Sequence, residues 1–339
     1  MGANRREITD EMRIAAIERF GGNCTEAAME LGLNPTTLQR FVRRRSQPFT
    51  IADLPDVDLP VEELVKHRKR QFEAKRAYEE AHRLIQVRVN LDGPIGILHF
   101  GDPHVDDDGT DIALLESHAK LTRDVDGLWG ANVGDSTNNW IGRLAHLYSQ
   151  QGTTAKQAWM LGEWFVKSAR WLYMVGGNHD AWSGAGDPLN WIAKQTGTLY
   201  KDSQVRLALN FPNGRSVRIN CRHDFAGSSQ YNSAHGATKA AMFGVRDHIF
   251  VAGHKHESGY NVWKDPAEQF VIHLMKVASY KVYDRYAKEK GFRDLSFGPA
   301  CVTTVNPRLP ESHPDMIKVW WSPEEGADFL RWLRSRKAA

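Results

Sequence analysis

Five short clusters in this 339-residue chain combine carboxylates, imidazoles and one amide in a pattern that could hold metal ions. They are Asp102-Pro-His104, Gly134-Asp135, Gly177-Asn178-His179-Asp180, His223 and Gly253-His254-Lys255-His256. Mixed nitrogen and oxygen donors suit borderline divalent ions, Mn first with Fe or Zn as alternatives, better than Mg or Ca, whose shells are mostly oxygen. Two such cations about 4 Å apart can bind a bridging hydroxide at neutral pH and neutralise the charge that grows on phosphate oxygens. The chemistry on offer is therefore phosphoester hydrolysis with water as the nucleophile. No GxSxG elbow and no suitably placed cysteine offers a covalent route. Single residues outside the clusters, His99, His118, His146, His235, His248 and His273, are expected to be ordinary packing or surface groups, with His235 set apart slightly by its Gly/Ser-rich loop. The acidic run Asp106 to Asp108 beside the first cluster reads as a solvated turn rather than as support for the site.

Read in order, the clusters resemble the signature of the calcineurin-like metallophosphoesterases, DxH, GDxx(D/N), GNH(D/E), H and GHxH, over roughly residues 90 to 310, with Asn138 completing the second motif as GDSTN. The resemblance implies an α/β fold, a four-layer αββα sandwich of two mixed sheets. It also implies that Asp102, His104 and His256 hold one metal, that Asn178, His223 and His254 hold the other, and that Asp135 bridges both. His179 would stand where the family places a histidine that is not a ligand, ready to give a proton or hydrogen bond to the leaving group, and Asp180 would orient it.

Something must bring these clusters together, and each one directly follows an apolar run of strand character: IGILHF, LWGANV, WLYMV, SVRINC and HIFVA. A strand that ends at a cluster delivers it to the rim of a sheet, where sites of α/β proteins lie. Helical patterns near 111 to 123 and from 155 to 169 alternate with the first strands. QVRVNL, QFVIHLMKV, CVTTVN and MIKVWW add further strands, and RLALNF-PNGR-SVRINC reads as a hairpin turning on Asn213-Gly214.

The N-terminal third has a different texture. Three short helices are expected within 1–46: one over residues 8 to 19, a second capped by Thr25, and a third after Asn34-Pro35. Aligned as a helix-turn-helix, they bury Ala27, Leu31, Leu38 and Phe41 and turn at Gly32. The third helix would present Thr36, Thr37, Gln39 and Arg40 to bases and Arg43, Arg44 and Arg45 to phosphates. A Pro-rich linker over 47–60 and a charged connecting helix over 61–85 lead to a phosphoesterase domain over 86–339.

Composition is that of an ordinary globular chain, 41% hydrophobic and 25% charged, which excludes a fibrous or wholly disordered protein. A net charge of +3 permits a polyanionic partner without requiring one. Three scattered cysteines, no signal peptide and no long apolar run point to a cytoplasmic protein with no membrane segment. Together these features suggest a two-metal phosphodiesterase or nuclease acting on DNA through a metal-bridging hydroxide, and the fusion of modules resembles phage-encoded phosphoesterases. The alternative is a protein phosphatase or small-nucleotide phosphodiesterase whose N-terminal helices bind a protein. Lys281, Arg285, Lys288, Lys290 and Arg293, interleaved with Tyr280, Tyr283, Tyr286 and Phe292, form either a substrate strip or a packed loop, and Trp140 and Trp182 are candidates for stacking on a base. Oligomeric state is left open.

Overall fold

The computed structural model describes residues 8–46, 58–181, 187–292 and 295–336. By contacts the chain divides into two compact units, Met1–Glu73 and Ala74–Ala339. The expected linker falls mostly on residues 47–57 and, with Trp182 and Arg293, lies outside the described residues.

In the first unit, helices α1 (Asp10–Arg19), α2 (Cys24–Leu31) and α3 (Pro35–Arg45) pack around Ala16, Ala27, Ala28 and Leu38. Small alanines let the helices approach closely enough for one leucine to close the core. Gly32 ends α2 in the left-handed conformation at φ 66°, and Asn34 caps α3 with Pro35 in its first turn. The start of α2 differs from expectation: Asn23, not Thr25, is the cap, its side chain accepting from the Thr25 and Glu26 amides. Leu31 and Phe41 are only half-buried. The guanidinium groups of Arg13 and Arg45 approach the Phe41 ring, 5.5 and 5.9 Å from its centre, in place of apolar neighbours. Helix α4 (Val61–His82) follows, with no buried residue.

The second unit contains strands β1 (Ile85–Arg88), β2 (Ile95–Phe100), β3 (Leu128–Asn132), β4 (Trp171–Val175), β5 (Tyr200–Lys201), β6 (Gln204–Asn210), β7 (Ser216–Arg222), β8 (Ile249–Ala252), β9 (Gly259–Asp265), β10 (Phe270–Lys276), β11 (Ala300–Val305) and β12 (Ile317–Trp320). Between them run α5 (Ile112–Asp124), α6 (Ala155–Ser168), α7 (Asn178–Ala181), α8 (Pro188–Gln195), α9 (His235–Phe243) and α10 (Arg285–Glu289), and α11 (Pro323–Ser335) closes the described chain. Two six-stranded mixed sheets result, ordered β1-β6-β7-β8-β10-β9 and β12-β11-β2-β3-β4-β5. One core joins them face to face: Ile97, Ala131 and Val175 from one sheet meet Leu207, Ile219 and Val251 from the other. The outer face of the second sheet packs its Leu98, Phe100 and Leu128 against Leu115 of α5, Phe165 of α6 and Leu330 of α11. The outer face of the first sheet is covered by Ala237 and Ala241 of α9 on Phe250 and Leu274. Four layers, αββα, are thus present as expected. Strand β9 was not read from the sequence; every second residue of this edge strand is exposed, and its turn to β10 is polar. Helix α11, capped by Ser322 with Pro323 in its first turn, was not read either.

Topology aligns the clusters. Strands β2, β3 and β4 are parallel neighbours in one sheet, and β7 and β8 are parallel neighbours in the other. Within each sheet these strands end together, and His223 after β7 meets Asp135 after β3 at 3.2 Å, which brings the two sets of ends to one rim.

Candidate metal centre

Three loops, after β2, β3 and β4, supply Asp102 and His104, Asp135, and Asn178 and His179, while those after β7 and β8 supply His223, His254 and His256. Backbone conformation turns these side chains inward. His104, Asp135, His254 and His256 all stand at positive φ, between 40° and 72°, as does the neighbouring Asn139. Such a conformation costs a non-glycine residue roughly 1–2 kcal/mol, and strain of this kind gathers where a site needs its geometry. Two glycines make close approach possible. A β-carbon on Gly177 would lie 2.0 Å from Asp135 Oδ1, and one on Gly253 would lie 2.3 Å from Asp102 Oδ1.

Asp135 Oδ2 is central. Its partner oxygen Oδ1 accepts from the His179 amide at 3.0 Å, leaving Oδ2 3.2 Å from His223 Nε2, 3.9 Å from His179 Nε2 and 4.0 Å from His104 Nε2. On one side His223 donates through Nδ1 to the Val133 carbonyl at 3.0 Å, and its Nε2 faces Asn178 Oδ1 at 3.0 Å and His254 Nδ1 at 3.1 Å. On the other side His104 Nε2 and His256 Nε2 approach to 3.2 Å, and His256 Nε2 lies 3.4 Å from Asp102 Oδ2. Ring nitrogens at such separations repel unless a proton or a cation lies between them. Asp102 is fully buried, and its Oδ1 has no hydrogen-bond partner. Buried and half-buried ligand atoms converging from five loops fit a pair of divalent ions, and three overlapping groups have the required spacing: Asp102, His104 and His256; His104, Asp135 and His179; Asp135, His223 and His254.

Electrostatics follows from burial and pairing. Burial disfavours the charged forms of both Asp135 and His223, but their mutual attraction outweighs it, holding Asp135 below the usual carboxylate range and lifting His223 to about 10. For His256 burial is likewise overcome, by Asp102 and Asp284, which raise it to about 9. His104 moves the other way, held well below its ordinary value by burial and by the rings of His179 and His256.

The arrangement around His179 departs from expectation. Its Nδ1 donates to the Asn138 carbonyl at 2.5 Å, so that carbonyl, not Asp180, sets the ring. Asp180 is fully buried and accepts instead from the Ser136 and Gly177 amides, at 3.1 and 2.8 Å, bracing the second and third loops against each other. Burial and then the Asp135 charge push its carboxyl up to about 8.

Only Asp108 of the acidic run is exposed. Asp106 is buried and accepts from the Asn138 amide at 2.7 Å, and Asp107 accepts from Asn138 Nδ2 at 2.8 Å and from Lys281 Nζ at 2.9 Å. Lys281 is itself buried and reaches Asp284 Oδ1 at 3.0 Å, while Asp284 Oδ2 lies 3.4 Å from His256 Nδ1. A continuous path therefore runs from His256 through Asp284, Lys281, Asp107 and Asn138 to His179. Sequence reasoning missed Asp284 and left Lys281 open between a substrate strip and a packed loop; the only signal was the position of the acidic run beside Asp102-Pro-His104. Nor is the basic strip continuous on the surface, because Tyr280 is buried with its hydroxyl 2.7 Å from His118 Nδ1. Trp140 is also buried, donating to Gln151 Oε1 at 2.9 Å and packing edge-on against His179, which rules it out as an open stacking platform.

In the first unit Thr36, Thr37, Gln39, Arg40, Arg43, Arg44 and Arg45 are all exposed. Residues 5–40 match the Fis family of bacterial regulatory proteins. This is a helix-turn-helix. Among curated proteins none matches the chain. Solved structures similar to it include a calcineurin-like phosphoesterase, YfkN, from Bacillus subtilis, at 10% identity and TM-score 0.34 over 71% of this chain and 99% of that one. The NAD nucleotidase of Haemophilus influenzae is similar at 12% identity and TM-score 0.34, over 72% of this chain and 56% of that one. A 5'-nucleotidase from Candida albicans is similar at 11% identity and TM-score 0.33, over 72% and 54%. Likenesses this distant add no detail to the site, whose reading rests on its own geometry. Among the described residues no helix is long and apolar enough to cross a membrane.

Proposed function

We propose that this chain is a two-metal phosphoesterase that hydrolyses phosphodiester bonds in DNA. The observation that carries the reading is the convergence on Asp135 Oδ2 of buried donors from both sheets. In this reading Asp102, His104 and His256 hold one ion, Asn178, His223 and His254 hold the second, and Asp135 is shared. A divalent pair, Mn above all, supplies an ionised water at neutral pH and positive charge against the phosphate oxygens. His179, fixed by its bond to the Asn138 carbonyl, presents Nε2 as the atom that passes a proton to the leaving oxygen. Asp180 keeps the loops that carry Asp135 and His179 in register.

DNA is the proposed polymer because a Fis-family helix-turn-helix precedes the catalytic unit and the exposed face of α3 ends in three arginines. Tethering concentrates the catalytic unit on whatever the first unit binds. The test is cutting of labelled single- and double-stranded DNA by the full chain with Mn, compared with the R43A/R44A/R45A variant. The variant is expected to cut DNA more weakly and to lower the salt slope of binding by about one for each arginine–phosphate pair removed, while bis-p-nitrophenyl phosphate is turned over as before. Equal DNA cutting and equal salt dependence in the two proteins would remove the α3 arginines from substrate binding.

A further inference from the structure

Beside the metal centre opens a cleft of about 450 Å³ whose lining includes Asp108, Trp140, Tyr283, Arg285, Tyr286 and Lys288. The Trp140 ring on its wall packs edge-on against His179, with centroids 5.2 Å apart, and Asp284 in its floor is the carboxylate 3.4 Å from His256. The cleft therefore adjoins His179, the side from which the leaving group departs.

Its chemistry is divided. Its aromatic wall is formed by Tyr283, 67% exposed, and by half-buried Tyr286, whose ring is backed by the buried Trp140 at 5.9 Å. Carboxylates occupy the inner side: Asp107 is neutralised by Lys281, whereas Asp108 is exposed, with its oxygens turned to the Gly152 amide at 2.9 Å. Arg285 and Lys288 stand exposed on α10. A phosphate would sit badly against Asp108 but well near Lys288. A flat, neutral ring that carries N–H donors fits the inner part, stacking on the aromatic wall and donating to Asp108. A cleft of this size is ordinary for a small organic ligand.

We propose that this cleft receives the nucleoside on the leaving-group side of the scissile phosphodiester, with its base against Tyr283 and Tyr286 and the next phosphate near Lys288. The proposal rests on the phosphoesterase reading for its substrate but not for its test. Saturation-transfer NMR on the full chain in EDTA asks whether free thymidine binds without any turnover. Hydrolysis of thymidylyl-thymidine and of bis-p-nitrophenyl phosphate with Mn then gives a ratio of kcat/KM for the two substrates. Y283A and Y286A, each checked for folding by circular dichroism, are expected to lose the transfer to thymidine. They should lower that ratio about tenfold, the scale that base–aromatic stacking supplies. Thymidine transfer that both variants abolish, from a protein that hydrolyses neither diester, would support the cleft and sink the phosphoesterase reading. No transfer, with both diesters hydrolysed at a ratio that neither variant changes, would overturn the cleft and leave the phosphoesterase reading standing.

Discussion

His223 and His256 each face a buried carboxylate that favours the protonated imidazole, and in the proposed centre a metal ion displaces those protons to bind. Both are raised above the ordinary histidine value, to about 10 and about 9, so both stay protonated below those values in the metal-free chain. Ligation needs the neutral imidazole. Loading both ions at pH 7 is therefore expected to release about two protons from these histidines and about one more from the water that the pair ionises, and apparent affinity should climb with pH until these groups titrate. Calorimetry of Mn binding in buffers of different ionisation enthalpy measures the proton count directly. Release of about one proton or none would mean that these two histidines are not ligands. His104 adds nothing to this release, since burial and its neighbouring rings already keep it neutral.

At the scale of elements, the strand ends decide what can be read in advance. Asp102, Asp135, Asn178, His223 and His254 were legible because each stands just beyond an apolar run, and a parallel strand order brings such ends to one rim. Their supports were not. Lys281 and Asp284 lie more than 170 residues from Asp107, joined to it only by the fold, and a basic residue between tyrosines looks the same in sequence whether it faces solvent or a buried carboxylate. Asp180 was misread for a different reason: the resemblance implied that it orients His179, but the short helix α7 points the two side chains at different loops. Because Lys281 is buried between two carboxylates, K281M leaves both without that cation. It should lower stability by roughly 3–5 kcal/mol, the usual cost of halving a buried ion pair. The same change should reduce turnover, as His256 and His179 lie at opposite ends of the path through Lys281. Thermal melts and kcat measured together test this; a loss under about 1 kcal/mol, as for a neutral core exchange, would show that the path does not hold the loops together.

At the scale of the whole molecule, two units with different chemistry share one chain: a small helical unit with a basic exposed helix, and a sandwich whose two sheets each contribute part of one site. The sandwich was an implication of the resemblance that the metal-site clusters carry; alternating strand and helix patterns gave β2, β3 and β4 of the second sheet, and less was legible at the edges, where β9 and α11 carry no motif. Since the donors come from both sheets, the centre exists only when the sandwich is closed, so metal binding and folding of the catalytic unit should be linked. Asp135 as a shared ligand and His179 as a proton donor are the two roles on which the proposed chemistry depends. Their most direct test is metal content by elemental analysis alongside hydrolysis of bis-p-nitrophenyl phosphate, in the parent chain, D135N and H179A. Two ions are expected in the parent and in H179A, with turnover in H179A down by about 100- to 10,000-fold, and impaired metal binding is expected in D135N. Equal metal loss in both variants, or full turnover in H179A, would contradict these roles.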